Sequence, residues 1–308
     1  MTMQVVRSGL RVGLAVAGIL AMAPAMALAA PGVIAHRGGA LSWPENTLYA
    51  FGQAAKVGVD YLEMDLQLTA DNELLVTHDA DINPDFCSAP EGSGLVPKPV
   101  RTLTLEQSRA FDCGSRSRGI YPDAEKRVAG MPTLEEVFRA FAGNATIRYF
   151  IETKLPKDGA PGAPIDPTLY AAKLDQLVRR HGLEDRVILQ SFDWRTIRAM
   201  RELNPRIRTC PLGVPRNSHD YAATLRDLGA RCIVLSGRET TQAQVAQFQR
   251  DGVLVFSGVI DSEAEWRRAV AYGFDAIFSN DPSGAISFLA SPEGRRRTPS
   301  STTGGDAP

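Results

Sequence analysis

The feature that most constrains the fold is a repeated alternation of short apolar segments with longer amphipathic ones. The short segments are typical of buried strands, and the longer ones are typical of helices. Strands that alternate with helices pair in parallel, because a parallel connection needs a crossover of a dozen or more residues. The predicted strands span 33–36, 60–67, 74–78, 148–152, 187–192, 207–212, 232–236, 253–257 and 275–279.

One of these nine strands does not belong to the alternation. Only residues 69–73 separate the strand 60–67 from the strand 74–78, so these two must form an antiparallel hairpin. Eight strands remain, each followed by a helical segment, and this count favours a closed barrel over an open doubly wound sheet. The predicted fold class is therefore α/β, a (β/α)₈ TIM barrel with an extra β-hairpin and an insertion after the second strand.

The chain divides into three regions. Residues 1–29 have the pattern of a secretory signal peptide, in which Arg7 and Arg11 precede an apolar run and Ala27-Leu28-Ala29 supplies a cleavage pattern. A membrane anchor is the alternative, but the apolar run is short for a bilayer span. Residues 30–290 form the predicted barrel, including an insertion at 81–127, and residues 291–308 form a predicted disordered tail. We expect a periplasmic or secreted protein with no stable membrane anchor.

Net charge bears on the class of binding partner, and the four cysteines bear on disulfide pairing. Without Arg7 and Arg11, the 34 basic residues fall to 32 against 35 acidic ones, a net charge of −3, which does not indicate a nucleic-acid partner. Cys87 and Cys113 lie within the insertion at 81–127 and flank a stretch of it that is rich in Gly, Pro and Ser, and we predict that they pair. Cys210 and Cys232 are either bonded or two buried thiols. The oligomeric state is not indicated by the sequence.

Acidic residues gather where predicted strands end, which is where functional side chains collect in a barrel. Glu63 and Asp65 are two residues apart in one strand, and Glu152 and Lys154 end the next barrel strand, so each pair shares a face. Three carboxylates without a thiolate predict a site for one divalent cation, Ca or Mg. The alternatives are a solvated strand edge for Glu63 and Asp65, and a structural ion pair for Glu152 and Lys154.

Two histidines and two cations accompany the carboxylates. His36 and His78 titrate near neutral pH when unperturbed and can divide acid and base roles. Arg37 and Lys154 reverse the −1 charge that three carboxylates and one divalent ion leave, which a phosphate needs. The other two histidines, His181 and His219, are interpreted as structural. These residues together predict a metal-dependent phosphodiesterase site.

The sequence resembles the glycerophosphodiester phosphodiesterase family over nearly the whole predicted barrel. The motifs that carry the resemblance are His36-Arg37-Gly38, Pro44-Glu45-Asn46-Thr47, Glu63-x-Asp65, Thr69-x-Asp71, His78-Asp79, Glu152-Thr153-Lys154 and Gln190-Ser191-Phe192. The resemblance implies metal-dependent hydrolysis of glycerophosphodiesters to glycerol 3-phosphate and an alcohol. It also implies Glu63, Asp65 and Glu152 as metal ligands, His36 and His78 as acid and base, and Arg37 and Lys154 as phosphate contacts.

Two late strands depart from the family pattern. The first reads Phe256-Ser257-Gly258-Val259 where a Trp-Thr-Val-Asn type motif is common, so Phe256 keeps an aromatic residue for the substrate pocket. The second reads Phe278-Ser279-Asn280-Asp281-Pro282, where Thr-Asp is commoner. Both positions would shape the pocket for the alcohol or glycerol group.

Two alternative functions remain open. A lysophospholipase D-like or phospholipid-directed phosphodiesterase would need an apolar rim, for which Trp43, Phe86 and residues 95–96 are the candidates. A non-catalytic protein that binds phosphate compounds would tolerate loss of a histidine or a metal carboxylate, and this chain has both sets.

Overall fold

The computed structural model describes residues 30–156, 161–162, 164–213 and 221–294. The strands are β1 Gly32–Ala35, β2 Tyr61–Leu68, β3 Leu74–Val76, β4 Arg148–Thr153, β5 Val187–Ser191, β6 Arg208–Pro211, β7 Cys232–Leu235, β8 Leu254–Ser257 and β9 Ala276–Ser279. The α-helices are α1 Leu48–Val57, α2 Leu105–Arg109, α3 Leu134–Ala140, α4 Pro167–His181, α5 Trp194–Leu203, α6 Tyr221–Leu228, α7 Gln242–Arg250, α8 Glu263–Tyr272 and α9 Pro282–Ala290. The predicted signal peptide, His219 and residues 295–308 of the predicted tail lie outside the described residues.

Eight of the strands form a nearly closed parallel barrel. Their order is β6-β5-β4-β2-β1-β9-β8-β7, and β3 pairs antiparallel with β2 through Leu66 opposite Val76. This arrangement confirms both the predicted barrel and the predicted hairpin. Within the described residues, no backbone ladder joins β6 to β7, but Cys210 on β6 forms a disulfide with Cys232 on β7. Of the two alternatives that the sequence left open, Cys210 and Cys232 are therefore bonded and are not two buried thiols. The disulfide links β6 and β7 where the barrel lacks a backbone ladder, and we call this position the seam.

Alternation along the strands separates two apolar cores. On β2, Leu62, Met64 and Leu66 pack outward among the helices, whereas Tyr61 belongs to the smaller cluster inside the barrel. That inner cluster contains an aromatic layer in which the ring of Phe150 lies 5.2 Å from Phe256. Because successive side chains alternate, Glu63 and Asp65 lie on the same inward face as Tyr61, further toward the carboxyl end. The inner core therefore supports a polar layer above it.

Polar side chains cap the helices that follow the strands. Thr47 accepts a hydrogen bond from the backbone N–H of Ala50 at the start of α1. Thr133 and Glu136 form a reciprocal capping box at the start of α3. These caps pair backbone N–H groups that the first turn of a helix leaves without a partner. They therefore fix the residues at which α1 and α3 begin.

The insertion at 81–127 has a small core of its own. Its apolar side chains pack with Leu75 of β3 in one buried cluster that includes Ile82, Phe86, Val100, Leu103, Phe111 and Met131. Cys87 and Cys113 form a disulfide within this cluster, which confirms the predicted pairing. The insertion is thereby attached to the hairpin that precedes His78. Among the described residues, every helix is too short or too polar to cross a membrane.

Candidate functional site

The carboxylates of Glu63, Asp65 and Glu152 form one buried cluster at the carboxyl ends of β2 and β4. The parallel register places Asp65 beside Glu152, and each of the three residues offers an oxygen within 4.8 Å of the others. Glu63 and Asp65 are each 1% exposed, and Glu152 is 7% exposed. A solvated strand edge, the alternative for Glu63 and Asp65, is therefore wrong. Three carboxylates this close repel each other unless cations lie among them.

Hydrogen bonds hold these carboxylates in place but leave ligand positions open. Glu63 accepts from the backbone N–H of Arg37 at 2.8 Å and from Gln190 Nε2 at 3.0 Å. Asp65 Oδ2 accepts from Asn46 Nδ2 at 3.0 Å. Asp65 Oδ1 is buried and meets the geometry of a hydrogen bond with none of the described residues, although the Lys154 ammonium lies 3.2 Å away as an ion pair. A buried carboxylate oxygen that accepts no well-aligned hydrogen bond, within an all-oxygen cluster, fits a hard divalent cation.

Two cationic side chains border the cluster. Lys154 Nζ lies 2.6 Å from Glu152 Oε1 and 3.2 Å from Asp65 Oδ1. Arg37 Nη1 lies 3.1 Å from Glu45 Oε1, and its Nε lies 3.5 Å from Asp65 Oδ2. Burial raises the pKa of Asp65, but the charges of Lys154 and Arg37 outweigh it and hold that pKa well below its usual range. Asp65 is therefore the carboxylate most strongly held in its charged form.

The other two carboxylates, Glu63 and Glu152, bind protons more tightly than ordinary glutamates do. Burial, followed by the charge of Asp65, raises the pKa of Glu63 well above its ordinary value. The same two causes raise the pKa of Glu152, although Lys154 opposes them. Both pKa shifts arise first from burial and then from the negative charge of Asp65, and a bound cation would offset the second cause.

His36 follows β1 and faces the same end of the barrel. Its Nδ1 lies 2.7 Å from Oδ1 of Asn280, which follows β9. Burial and the adjacent Arg37 lower the pKa of His36 from 6.5 to about 4. Arg37 itself has a φ of 52°, a left-handed conformation that turns the chain just after His36. That turn directs the Arg37 N–H to Glu63, so the histidine and the acidic cluster are positioned by one backbone segment.

His78 is held by a different kind of partner. Its Nδ1 lies 2.7 Å from Oδ1 of Asp79, whose Oδ2 accepts hydrogen bonds of 2.7 Å from Asn83 Nδ2 and from Arg118 Nη2. Burial raises the pKa of Asp79, but hydrogen bonds from His78 and Asn83 and the charge of Arg118 bring it well below its usual range. The structure thus sets His78 against a carboxylate and His36 against an amide.

Sequence reasoning missed Arg118 and Asp261, and it assigned Asn280 only to the pocket for the alcohol or glycerol group. Arg118 of the insertion also lies 3.1 Å from Glu45 and stacks on Phe86, in a segment without periodicity that offered no signal. Asn280 and Asp261 hydrogen bond to each other beside His36. Asn280 comes directly after β9, where functional side chains collect in a barrel, but its contact with His36 depends on the tertiary structure.

The predicted aromatic contacts lie deeper than the site. Phe256 is 1% exposed and packs against Phe150, which in turn packs against Phe278 beneath His36. Its substrate contact stays a prediction. Phe86, a candidate for an apolar rim, is only 6% exposed and packs in the core of the insertion. Trp43 is half-buried against the main core, so neither aromatic side chain forms an exposed rim.

Comparison with known proteins identifies the family. Residues 36–283 match the Glycerophosphoryl diester phosphodiesterase family. The chain belongs to this family. A glycerophosphodiester phosphodiesterase of Bacillus subtilis is 29% identical over 255 residues, which are 81% of this chain and 83% of that protein. Membership makes this chain a phosphoric diester hydrolase.

Solved structures show the same fold. A family protein from Silicibacter pomeroyi DSS-3 superposes with a TM-score of 0.76 at 25% identity, covering 85% of this chain and 93% of that one. An Oleispira antarctica phosphodiesterase, solved with the product sn-glycerol-3-phosphate, has a TM-score of 0.70 at 22% identity and covers 85% of this chain and 98% of that one. The glycerophosphodiester phosphodiesterase barrel is therefore shared over most of this chain.

Proposed function

We propose that this protein hydrolyses glycerophosphodiesters to glycerol 3-phosphate and an alcohol, with the help of one divalent cation, Ca or Mg. The observation that carries the proposal is the buried cluster of Glu63, Asp65 and Glu152, bordered by His36 and His78. Family membership supports the reaction class. The name of the Bacillus subtilis relative and the product bound to the Oleispira antarctica structure support the substrate.

Glu63, Asp65 and Glu152 would hold the cation. Asp65 Oδ1 would supply one oxygen, and Glu63 and Glu152 would each supply another, since the three residues offer oxygens within 4.8 Å of one another. When bound, a divalent cation polarises a phosphoryl oxygen and lowers the pKa of an attacking oxygen. Asn46 and Gln190 would keep Asp65 and Glu63 oriented, because each donates a hydrogen bond to one carboxylate oxygen.

His36 and His78 would transfer the protons. One imidazole removes a proton from the attacking oxygen, which belongs to water or to a hydroxyl group of the substrate, as this oxygen bonds to phosphorus. The other imidazole donates a proton to the alkoxide as the bond between phosphorus and the alcohol oxygen breaks. When the substrate's own hydroxyl attacks, water then opens the cyclic phosphate in a second step of the same kind. Each P–O bond that breaks is thus matched by one that forms. When water attacks directly, the imidazole that gained a proton then releases it to solvent, and the other imidazole takes one up from solvent. When the substrate's hydroxyl attacks, the two imidazoles exchange roles in the second step and so return to their starting states.

Arg37 and Lys154 would bind the phosphoryl oxygens. Both cations contact carboxylates of the cluster, where they lie next to the proposed cation position. A phosphate that binds there meets positive charge from both side chains, and this charge also stabilises the additional negative charge of the transition state.

The small diester is favoured over an intact lipid as the substrate. An enzyme that takes a lysophospholipid needs exposed apolar surface near its site. Of the rim candidates, Phe86 is buried and Trp43 is half-buried, and in the stretch 95–96 only Val96 is exposed, at 53%. A purely binding function is also less well supported, because both histidines and all three carboxylates are present. We further propose that the protein is exported, which its two disulfides favour.

The decisive assay gives purified protein glycerophosphocholine and, separately, lysophosphatidylcholine, with and without a chelator. We expect glycerol 3-phosphate release from glycerophosphocholine that stops on chelation and returns when calcium or magnesium is added. Release that survives complete chelation would contradict the cation dependence. Turnover of lysophosphatidylcholine alone would support the lipid-directed alternative, and turnover of neither would contradict hydrolysis of choline-containing diesters.

A further inference from the structure

The side chain of Asn280 lies between a catalytic imidazole and a carboxylate. Its Oδ1 is 2.7 Å from His36 Nδ1, and its Nδ2 donates to Asp261 Oδ2 at 2.8 Å. The backbone N–H of Asn280 also donates to Asp261 Oδ1 at 2.6 Å, and Ser279 Oγ donates to the same oxygen at 3.0 Å. Asp261 therefore holds Asn280 through both its backbone and its side chain.

We infer that Asn280, oriented by Asp261, is a positioning residue that holds the neutral His36 ring in the tautomer with its proton on Nδ1. An amide could in principle be rotated to exchange its oxygen and nitrogen. Here the rotated amide would place its oxygen against the Asp261 carboxylate, which accepts hydrogen bonds but donates none. The amide nitrogen must therefore face Asp261, and the amide oxygen must face His36.

The tautomer follows from this orientation. An amide oxygen only accepts hydrogen bonds, so the ring nitrogen that it contacts must carry a proton. In a neutral imidazole the second nitrogen, Nε2, then has a free lone pair. Nε2 lies on the opposite side of the ring from Asn280, and His36 is close enough to Asp65 and His78 for their charges to affect it. Nε2 is thus the nitrogen of His36 available to exchange a proton with the substrate or water.

The inference assigns a role to a residue far from the acidic cluster in sequence. His36 and Asn280 are separated by 244 positions, and Asp261 lies 19 positions before Asn280. Asp261 comes from the segment between β8 and α8, so β1, β9 and this segment must all be in place before His36 is oriented. The catalytic use of Nε2 rests on the proposed function, whereas the tautomer itself does not.

The test uses the substitution Asp261→Asn and the exchange of both residues, Asp261→Asn with Asn280→Asp. In the single variant, the amide introduced at position 261 keeps its oxygen toward the backbone N–H of Asn280 and so presents its nitrogen to the Asn280 side chain. Asn280 must then rotate and present its own nitrogen to His36, which moves the ring proton to Nε2. In the exchanged variant, the amide at position 261 donates to the carboxylate introduced at position 280, which again presents an oxygen to His36 Nδ1.

Nitrogen NMR of protein labelled at its four histidines reports the tautomer directly, with His36 assigned by the loss of its signals in a His36→Gln variant. We expect the Nδ1–H tautomer in the parent protein and in the exchanged variant, and the Nε2–H tautomer in Asp261→Asn. We also expect kcat of Asp261→Asn to fall roughly tenfold or more, with KM within about twofold, because a wrong tautomer disables proton transfer.

The exchanged variant separates positioning from a merely structural role. Its kcat should be at least several-fold above that of Asp261→Asn, since the oxygen facing His36 is restored. An Nε2–H tautomer in the parent protein, or an unchanged tautomer in Asp261→Asn, would overturn the inference. The NMR result does not depend on turnover, so failure of the proposed function would be recognised separately by the absence of glycerol 3-phosphate release.

Discussion

Arg118 donates a hydrogen bond of 2.7 Å to Asp79, the carboxylate that also contacts Nδ1 of His78. Arg118 belongs to the insertion at 81–127, whereas Asp79 lies just after β3, the second strand of the hairpin. The insertion is therefore not only a cover on the barrel. It supplies a positive charge that fixes the partner of a proposed catalytic histidine.

Replacing Arg118 should lower catalysis more than stability. In Arg118→Ala, Asp79 loses one of its three partners and can turn away from His78, so we expect kcat to fall roughly tenfold. Steady-state kinetics with glycerophosphocholine measure the effect. Arg116→Ala is the matched control, because Arg116 is a neighbouring arginine that bonds to the backbone of Cys87 within the insertion. Equal losses in the two variants would show that the insertion as a whole, rather than the contact with Asp79, matters.

The two histidines of the site should be indispensable, whereas His181 should not. We expect His36→Ala and His78→Ala each to lower kcat by roughly 10²-fold or more, because each removes a proton-transfer group. His181, the last residue of α4, packs against Phe138 and lies near Glu135, both on α3. His181→Ala is therefore the control for loss of a histidine outside the site. Single-turnover or steady-state rates of phosphodiester cleavage measure the effect. A wild-type rate in either site variant would remove that histidine from the mechanism.

Cation binding should strengthen as the pH rises. The pKa of Glu63 is raised by burial and by Asp65, so protons compete with the cation for this carboxylate. The increase in Tm caused by added calcium or magnesium should therefore grow between about pH 5 and pH 8. Glu63→Gln should show little increase at any pH. A Tm increase that is independent of pH in the parent protein would contradict a role for Glu63 as a ligand.

The same shift has a consequence for the metal-free protein. Between the unfolded pKa of about 4.3 and its raised folded pKa, Glu63 binds more protons in the folded state than in the unfolded state. The contribution of Glu63 to the free energy of unfolding therefore falls as pH rises through this range. In chelated buffer, Glu63→Gln should become more stable relative to the parent protein as pH rises, which thermal unfolding at several pH values measures. A relative stability that stays constant would show that the pKa of Glu63 is not raised.

The disulfide at the barrel seam should contribute measurably to stability. Cys210 and Cys232 link β6 to β7, where the described strands have no backbone ladder, and they enclose a chain segment with a sequence separation of 22. Removing both in Cys210→Ala with Cys232→Ala should lower the free energy of unfolding by about 3 kcal/mol. Urea unfolding measures this change. No loss of stability would mean that packing across the seam is sufficient without the bond.

Much of the barrel was predictable because its pattern is local. The alternation of strands and helices and the short link 69–73 depend on neighbouring residues, and both the barrel and the hairpin are observed. The two-residue spacing of Glu63 and Asp65 likewise predicted a shared face, which the inner side of β2 provides. The prediction that Glu152 joins them followed from the rule for strand ends and agrees with the register of β2 and β4.

The remaining parts of the site depend on contacts between distant segments. Nothing in the irregular insertion indicated that Arg118 would reach Asp79, because side-chain position in such a segment is set by packing and not by periodicity. Whether Cys210 and Cys232 are bonded depended on β6 and β7 being adjacent at the seam.

By itself, the sequence determined the order of the strands and helices and the face on which Glu63 and Asp65 lie, since these follow from backbone geometry over a few residues. Only the tertiary structure decided which groups the two histidines meet, Asn280 for His36 and Asp79 with Arg118 for His78. The physical reason is that a hydrogen bond requires its two atoms to be within about 3 Å. Barrel closure and the folding of the insertion bring those atoms together across up to 244 positions of the chain.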